Sequence, residues 1–340
     1  MEKNNQDYKK TMNKLFAVGV LKKKEIVFGE TSTKKAVAQG KITLLINKKD
    51  GKIGEVVFKV QQYRENIDGT ENPNYKALKT IDETYKSVET NPNDPDTVRI
   101  EGRLEDNIFF STRDNKLVEN LDLKAFYLTR VAPTEEHFCK VGFEGYISKV
   151  EPISGGALNV EIIGIANKGI AFPLTGEIPV ELSAAFQNRY KVGCTTTLNF
   201  NIDNEVQVEI LQSEVGFGQG LGEKIEKHIT KRTIFGGGAV IYQGSNGCIT
   251  EEEIQKAIAL REVEKSNAKD YAMSKSNGSN LQNGFGETTT PQSGFGAGVT
   301  NNAGTGFGAG FGTGAIQTQD GFAGAFNASG NSFPSFNTTN

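Results

Sequence analysis

Cations and aromatic rings set two residues apart supply most of the chemistry this sequence offers. In the stretch 53–63, Val56, Phe58 and Val60 alternate with Lys59, Gln61 and Tyr63, and Arg64 follows. Successive side chains of an extended strand point to opposite faces, which puts the first set in a core and Lys59 and Tyr63 together on the outside. Lys22, Lys23 and Lys24 close an earlier apolar run, and Arg99, Arg103 and Arg113 punctuate a later one that also carries Phe109 and Phe110. Cations of this kind can neutralise phosphates and release their counterions. Exposed rings can stack nucleobases, at about 1–3 kcal/mol per base and with little regard to sequence. Taken singly, each residue reads equally well as solvated charge or half-buried aromatic. The convergence of Lys22, Lys24, Lys59, Tyr63, Arg64, Arg99, Arg103, Phe109 and Arg113 makes the set a candidate binding site.

Other chemistry has little to work with. The chain holds two histidines, His137 and His228, and three cysteines, Cys139, Cys194 and Cys248. His137-Phe138-Cys139 has no second ligand pair at zinc spacing. Gly216 to Gly222 is glycine-rich, but its spacing is not that of a dinucleotide loop and no Gly-Lys-Ser/Thr follows; it reads as a hinge. The expectation is a protein that is no enzyme and uses neither metal nor cofactor.

With 340 residues the chain has room for two domains and extra segments. Its formal net charge of -3 speaks against a globally basic nucleic-acid binder and leaves room for a local cationic groove. Three well-separated cysteines, an odd number, predict free thiols and a reducing, cytoplasmic setting. No apolar run approaches the roughly 18 residues of a membrane helix, and no membrane partner is expected. The polar stretch 1–13 reads as a flexible N-terminus without an export signal.

Three Val/Ile/Phe-rich runs, 15–21, 36–46 and 53–63, read as strands, with Asp50-Gly51 as a hairpin turn. Residues 72–88 change period: Tyr75, Leu78, Ile81 and Tyr85 recur at three- and four-residue steps, which predicts a helix stopped by Asn91-Pro92. A hairpin over 97–131 follows. Three strands, a helix and two strands make the order of a five-stranded OB barrel, placed at 14–132. Residues 138–212 repeat that order more loosely. Strands are expected at 141–150, 158–166 and 178–180, a helix at 181–190, and a last hairpin around Asp203-Asn204. The fold class expected is all-β with short helices, two OB-like barrels in tandem and a disordered tail. Residues 213–270 read as a Gly-rich linker with short helices. These include helical turns at 223–231, a loop at 234–247, and a helix from Thr250 to Val263 whose Ile254, Ala257, Ile258 and Arg261 share a face. Thr250 and Glu253 form its capping box. From Tyr271 onward only Lys275, Glu287 and Asp320 are charged, and Gly-Phe-Gly recurs at Phe285, Phe295, Phe307 and Phe311. Too little aliphatic surface remains there to offset ordering entropy, which predicts disorder.

Val98, Ile100, Glu101, Gly102, Leu104 and Phe109 match a strand pattern of the bacterial-type single-stranded-DNA-binding proteins, which the 97–131 hairpin resembles. Over 15–131, and in overall architecture beyond, the chain looks most like the larger forms from Gram-positive phages and conjugative elements. The resemblance implies DNA binding without catalysis in replication or recombination of a phage or mobile element. It places a base-stacking aromatic at Phe109 or Phe110. It also implies homo-oligomers or self-association, and partner proteins of replication or recombination docked through the tail. The tail's Phe333-Pro334-Ser335-Phe336 lacks the family's acidic tip, and the chain lacks the tryptophan usual in its groove. The rival expectation is a structural or adaptor protein whose barrels bind protein and whose Gly-Phe tail drives assembly.

Overall fold

A computed structural model describes residues 10–48, 51–211 and 223–278. The first barrel is built from β1 (Asn13–Glu30), β2 (Ala36–Asn47), β3 (Ile53–Tyr63), α1 (Pro73–Thr84), β4 (Thr97–Ser111) and β5 (Lys116–Val131). β1 pairs with β2 and β4, β2 with β3, and β4 with β5, all antiparallel; a short parallel contact between β3 and β5 closes the barrel. Alternation holds as read: Val56, Phe58 and Val60 are buried, while Val57 and Lys59 are exposed. Phe58, Leu15, Leu21, Ile42, Leu44, Ile100 and Leu104 fill the interior. Each such side chain contributes about 1.5–3 kcal/mol by leaving water.

α1 starts where Asn72 accepts a hydrogen bond from the Asn74 amide (2.9 Å) and Pro73 occupies the first turn. It turns Leu78 and Ile81 inward and sets Tyr75 edge-on against Phe28, ring centroids 5.7 Å apart. The helix is shorter than the period suggests. Tyr85 is already extended, because the Val88 amide donates to the Leu21 carbonyl at 2.9 Å and draws the chain back to β1.

The second barrel comprises β6 (Phe138–Pro152), β7 (Leu158–Ile165), β8 (Ala171–Ile178), α2 (Val180–Arg189), β9 (Thr195–Leu211) and β10 (Glu223–Gly237). It closes in the same way, through a parallel contact between β8 and β10. Three sequence readings are corrected. β9 runs straight through Asp203-Asn204, where a hairpin was expected. Residues 223–231, expected as helical turns inside a linker, belong to β10, which pairs with β9 from Glu223↔Leu211 to Gly237↔Leu198. A full strand also stands where only 178–180 was expected. The Glu/Lys-rich composition of 223–231 favours helix locally, and antiparallel pairing with the preceding strand β9 overrides it. The glycine hinge at 216–222 and the chain beyond 278 lie outside the described residues.

The barrels share one ten-stranded sheet because β1 also pairs antiparallel with β6. Each of these strands carries a bulge, between Leu21 and Lys23 in β1 and between Ile147 and Lys149 in β6. Aligning the bulges superposes Leu15 on Val141, and these two are register partners across the seam. The barrels are therefore related by a local two-fold axis through that pair. The core compensates across the repeat. Phe58 and Gly102 in the first barrel correspond by register to Gly176 and Phe200 in the second, and a Cβ on Gly176 would lie 2.7 Å from the Phe200 ring.

α3 (Glu251–Gly278) reaches well past the expected end of its helix. The capping box forms as read: Thr250 Oγ1 accepts from the Glu253 amide at 3.2 Å, and Glu253 Oε2 accepts from the Thr250 amide at 2.8 Å. Ile254 and Ala257 pack with Tyr146, Ile163, Ile165 and Ala171 of the second barrel. Arg261, only 6% exposed, donates to the Ala171 carbonyl (3.0 Å), to Asp106 on β4 and to Glu119 on β5 (2.7 Å). The N-terminal end is also tied down: Thr11 exchanges hydrogen bonds with Ile165 across the barrels.

Candidate nucleic-acid interface

The outer face of the first barrel aligns four cations. Register places Lys41 (β2) opposite Lys59 (β3), Lys59 beside Lys124 (β5), and Lys124 opposite Arg103 (β4). Directly opposed residues of neighbouring strands lie about 5 Å apart, so the row crosses four strands without a gap. Like charges so placed repel, and two carboxylates in the next row offset them. Lys59 pairs with Asp122 at 2.6 Å, while Lys124 (3.1 Å) and Arg103 both reach Glu105. Lys41 makes no ion pair among the described residues. Lys10 stands near Arg103; its partial burial and that guanidinium hold its amine below the ordinary lysine range.

Local backbone geometry brings the row together. At the β4–β5 bulge between Glu101 and Gly102, a Cβ on Gly102 would lie 1.9 Å from the Lys124 carbonyl oxygen, so only glycine allows this approach. The bulge leaves Phe126 as the extra residue of β5, and the Arg103 guanidinium covers its ring at 5.1 Å. Burial alone would raise the Glu105 carboxyl; Lys124 and Arg103 more than offset it and hold the group below the usual carboxylate range.

The sequence candidates scatter around this row. Lys59 and Arg103 lie in it. Tyr63, half-buried, and exposed Arg64 continue β3 toward the β1–β2 turn. Phe109, 42% exposed, stands out along the β4–β5 arm, about 20 Å from Arg103 at strand spacing, and Arg113 lies beyond it in the turn that joins β4 to β5. Arg99, on the outside of β4, pairs with Glu135 at 2.7 Å. Lys22 pairs with Glu55. Lys24 does not join the site: its ammonium donates to the Ile81 (2.9 Å) and Asp82 carbonyls. There it satisfies the C-terminal end of α1, the usual place for a cation on a helix.

Lys41, Lys124 and Phe126 were missed. The hairpins themselves were visible, but their registers were not: an Asp50-Gly51 turn opposes Lys41 to Val60 and a turn at 113–116 opposes Arg103 to Phe126, one and two residues from the observed partners. The β3–β5 contact, which joins the two hairpins, has no local trace.

The second barrel is different at the matching positions. The two-fold carries Lys41, Lys59, Lys124 and Arg103 onto Asn159, Glu177, Thr233 and Asn201, which include no cation. Among the described residues no cluster of three His, Cys, Asp or Glu could hold a metal ion. Cys139 and Cys194 are free and buried, and burial raises both thiols above their ordinary value, Cys139 strongly. No helix among the described residues is long and apolar enough to cross a membrane.

Comparison with solved structures finds single-stranded DNA binding proteins. The wild-type protein from Thermus aquaticus matches at 12% identity and a TM-score of 0.43, covering 70% of this chain and 98% of that one. A deletion mutant of the same Thermus aquaticus protein scores 0.42 with the same identity and coverage. The Plasmodium falciparum SSB in complex with ssDNA matches 36% of this chain and 98% of its own, at 12% identity and a TM-score of 0.24. A search of curated proteins returns no match. The model of the YorF family matches residues 11–271, from the first buried threonine to the last turns of α3, and the chain belongs to that family.

Proposed function

We propose that this protein binds single-stranded DNA on the outer face of its first barrel, without catalysis. One observation carries the reading: the unbroken cross-strand row Lys41, Lys59, Lys124 and Arg103. It lies on the strand 2–3 side, which OB barrels commonly use for oligonucleotides. These pairs are partly exposed rather than buried, so an incoming phosphate can take the place of Asp122 or Glu105 as the charge-assisted partner of these cations. Phe126, Tyr63 and, farther out, Phe109 offer rings to unstacked bases, which a duplex does not present. Arg64, Arg99 and Arg113 extend the cationic path, and Lys22 borders it. The biological setting proposed is replication or recombination of a phage or mobile element in the cytoplasm, with self-association or partner docking assigned to the Gly-Phe tail.

Fluorescence anisotropy with labelled oligothymidylate, oligouridylate and matched duplex, titrated with salt, tests the reading. Tight, salt-sensitive binding of oligothymidylate with weak duplex binding is expected. Equal affinity for duplex, or none for any nucleic acid, overturns it and favours the protein-binding adaptor.

A further inference from the structure

A cleft of about 790 Å³ opens between the barrels, floored by the end of β2 (Ile46, Asn47, Lys48) on one side and by β6, β9 and β10 on the other. Its volume is that of an ordinary ligand site. Two half-exposed rings, Phe138 and Phe235, flank the Lys140 ammonium at 4.7 and 5.6 Å. Polar contacts bridge the barrels here. Lys48 pairs with Asp203 at 3.2 Å, and the Asn47 amide donates to His137 Nδ1 at 3.2 Å.

The two-fold axis gives this cleft a meaning. Phe235 is the extra residue of a bulge between Ile234 and Gly236, the same position that Phe126 takes in the first barrel. Arg103 maps onto Asn201 and Glu105 onto Asp203, both in the cleft wall. The second barrel thus lacks the cationic row but keeps the bulged ring and the acid beside it. Lys140, from the seam strand β6, stands in for the missing guanidinium. Along β2, Lys41, Leu45 and Asn47 lie on the outer side of the pleat, with Thr43 between them covered by its neighbours, and lead from the cationic row to the cleft, about 20 Å at strand spacing.

We propose that the cleft is a second contact for the same DNA strand. In it a nucleobase stacks on Phe235 and Phe138, and the adjoining phosphate is met by Lys140 and Lys48. This inference rests on the single-strand reading above and adds a path, running from the face of the first barrel along β2 into the cleft.

The chain contains no tryptophan, so Phe138→Trp installs a unique fluorophore in the full-length protein. Oligothymidylate long enough to span both sites should quench its emission with the same midpoint as the anisotropy curve. Phe235→Ala should weaken that binding by about five-fold to a hundred-fold, the range of one missing base stack, with the salt slope unchanged. Normal anisotropy with silent tryptophan emission and an unaffected Phe235→Ala variant overturns the cleft and leaves the first-barrel reading standing. Absence of oligothymidylate binding by the unaltered chain overturns both. Should Phe235→Ala fail to fold, the tryptophan reporter alone decides.

Discussion

Lys59, Lys124 and Arg103 each hold a carboxylate that a phosphate can replace, and replacing any one with Gln should show in salt dependence before it shows in stability. On a single strand the log–log slope changes by about 0.7 for each phosphate that is no longer neutralised. Salt titration of Lys59→Gln and Lys124→Gln checks this; slopes unchanged in both would remove them from the interface. Tyr63→Ala should instead weaken binding by about 1–3 kcal/mol at constant slope. Glu105 gives the face a pH dependence. Its folded-state carboxyl titrates below its unfolded value because Lys124 and Arg103 outweigh burial. The interaction therefore stabilises fully above about pH 4.3, the ordinary Glu value, and the contribution disappears as pH falls through the lower folded-state value. Glu105→Gln should flatten that part of the acid-unfolding curve, followed by circular dichroism.

Among the elements, α3 has the clearest test. Arg261 ties it to the β4–β5 arm while Ile254 and Ala257 seat it on the second barrel. Arg261→Met leaves Asp106 without its cation and Glu119 with Lys265 alone, at 3.0 Å. Breaking a fully buried pair costs about 3–5 kcal/mol; here Glu119 is 39% exposed, and about 2 kcal/mol is expected in urea unfolding. Substitution of both Asp106 and Glu119 by Asn and Gln in that background should recover much of the stability. Local pattern made the first barrel's elements legible: period-2 alternation in β3, the three- and four-residue period of 72–88 and the hairpin over residues 97–131. It failed at β9 and β10. There Asp203-Asn204 reads as a turn although β9 runs through it, and the charged residues of 223–231 favour helix until β9 pairs with them. Arg261 was visible as a member of a helix face, but its partners Asp106 and Glu119 lie over a hundred residues away. The same limit explains why the cationic row was only half found: Lys59 and Arg103 show in their own strands, whereas Lys41 and Lys124 show only in register.

For the whole molecule, the low identity between the barrels follows from how the core is conserved. Volume is kept while residues trade places, as with Phe58/Gly102 against Gly176/Phe200, and such exchanges cost little when total volume is held. The 62 residues after Gly278 contain two charged residues, Glu287 and Asp320, and no periodic apolar face. Removing 279–340 should leave the melting temperature and short-oligonucleotide affinity unchanged and alter only cooperativity on long strands. A truncation before Glu251 should instead lower the melting temperature sharply, because it uncovers Tyr146, Ile163, Ile165 and Ala171. Calorimetry of the two truncations separates these outcomes.

The β1–β6 seam has a consequence for inheritance. When two identical barrels meet about a two-fold axis, any substitution appears on both sides at once. Here both partners are encoded in one chain, and Leu15 meets Val141 rather than a second Leu15. Each side of the axis can mutate alone. One half carries Lys41, Lys59 and Lys124 along its face while the other carries Asn159, Glu177 and Thr233, with the seam held in both. A molecule built in this way has a front and a back, and successive copies along a strand would all present the same barrel to it and the same barrel away from it.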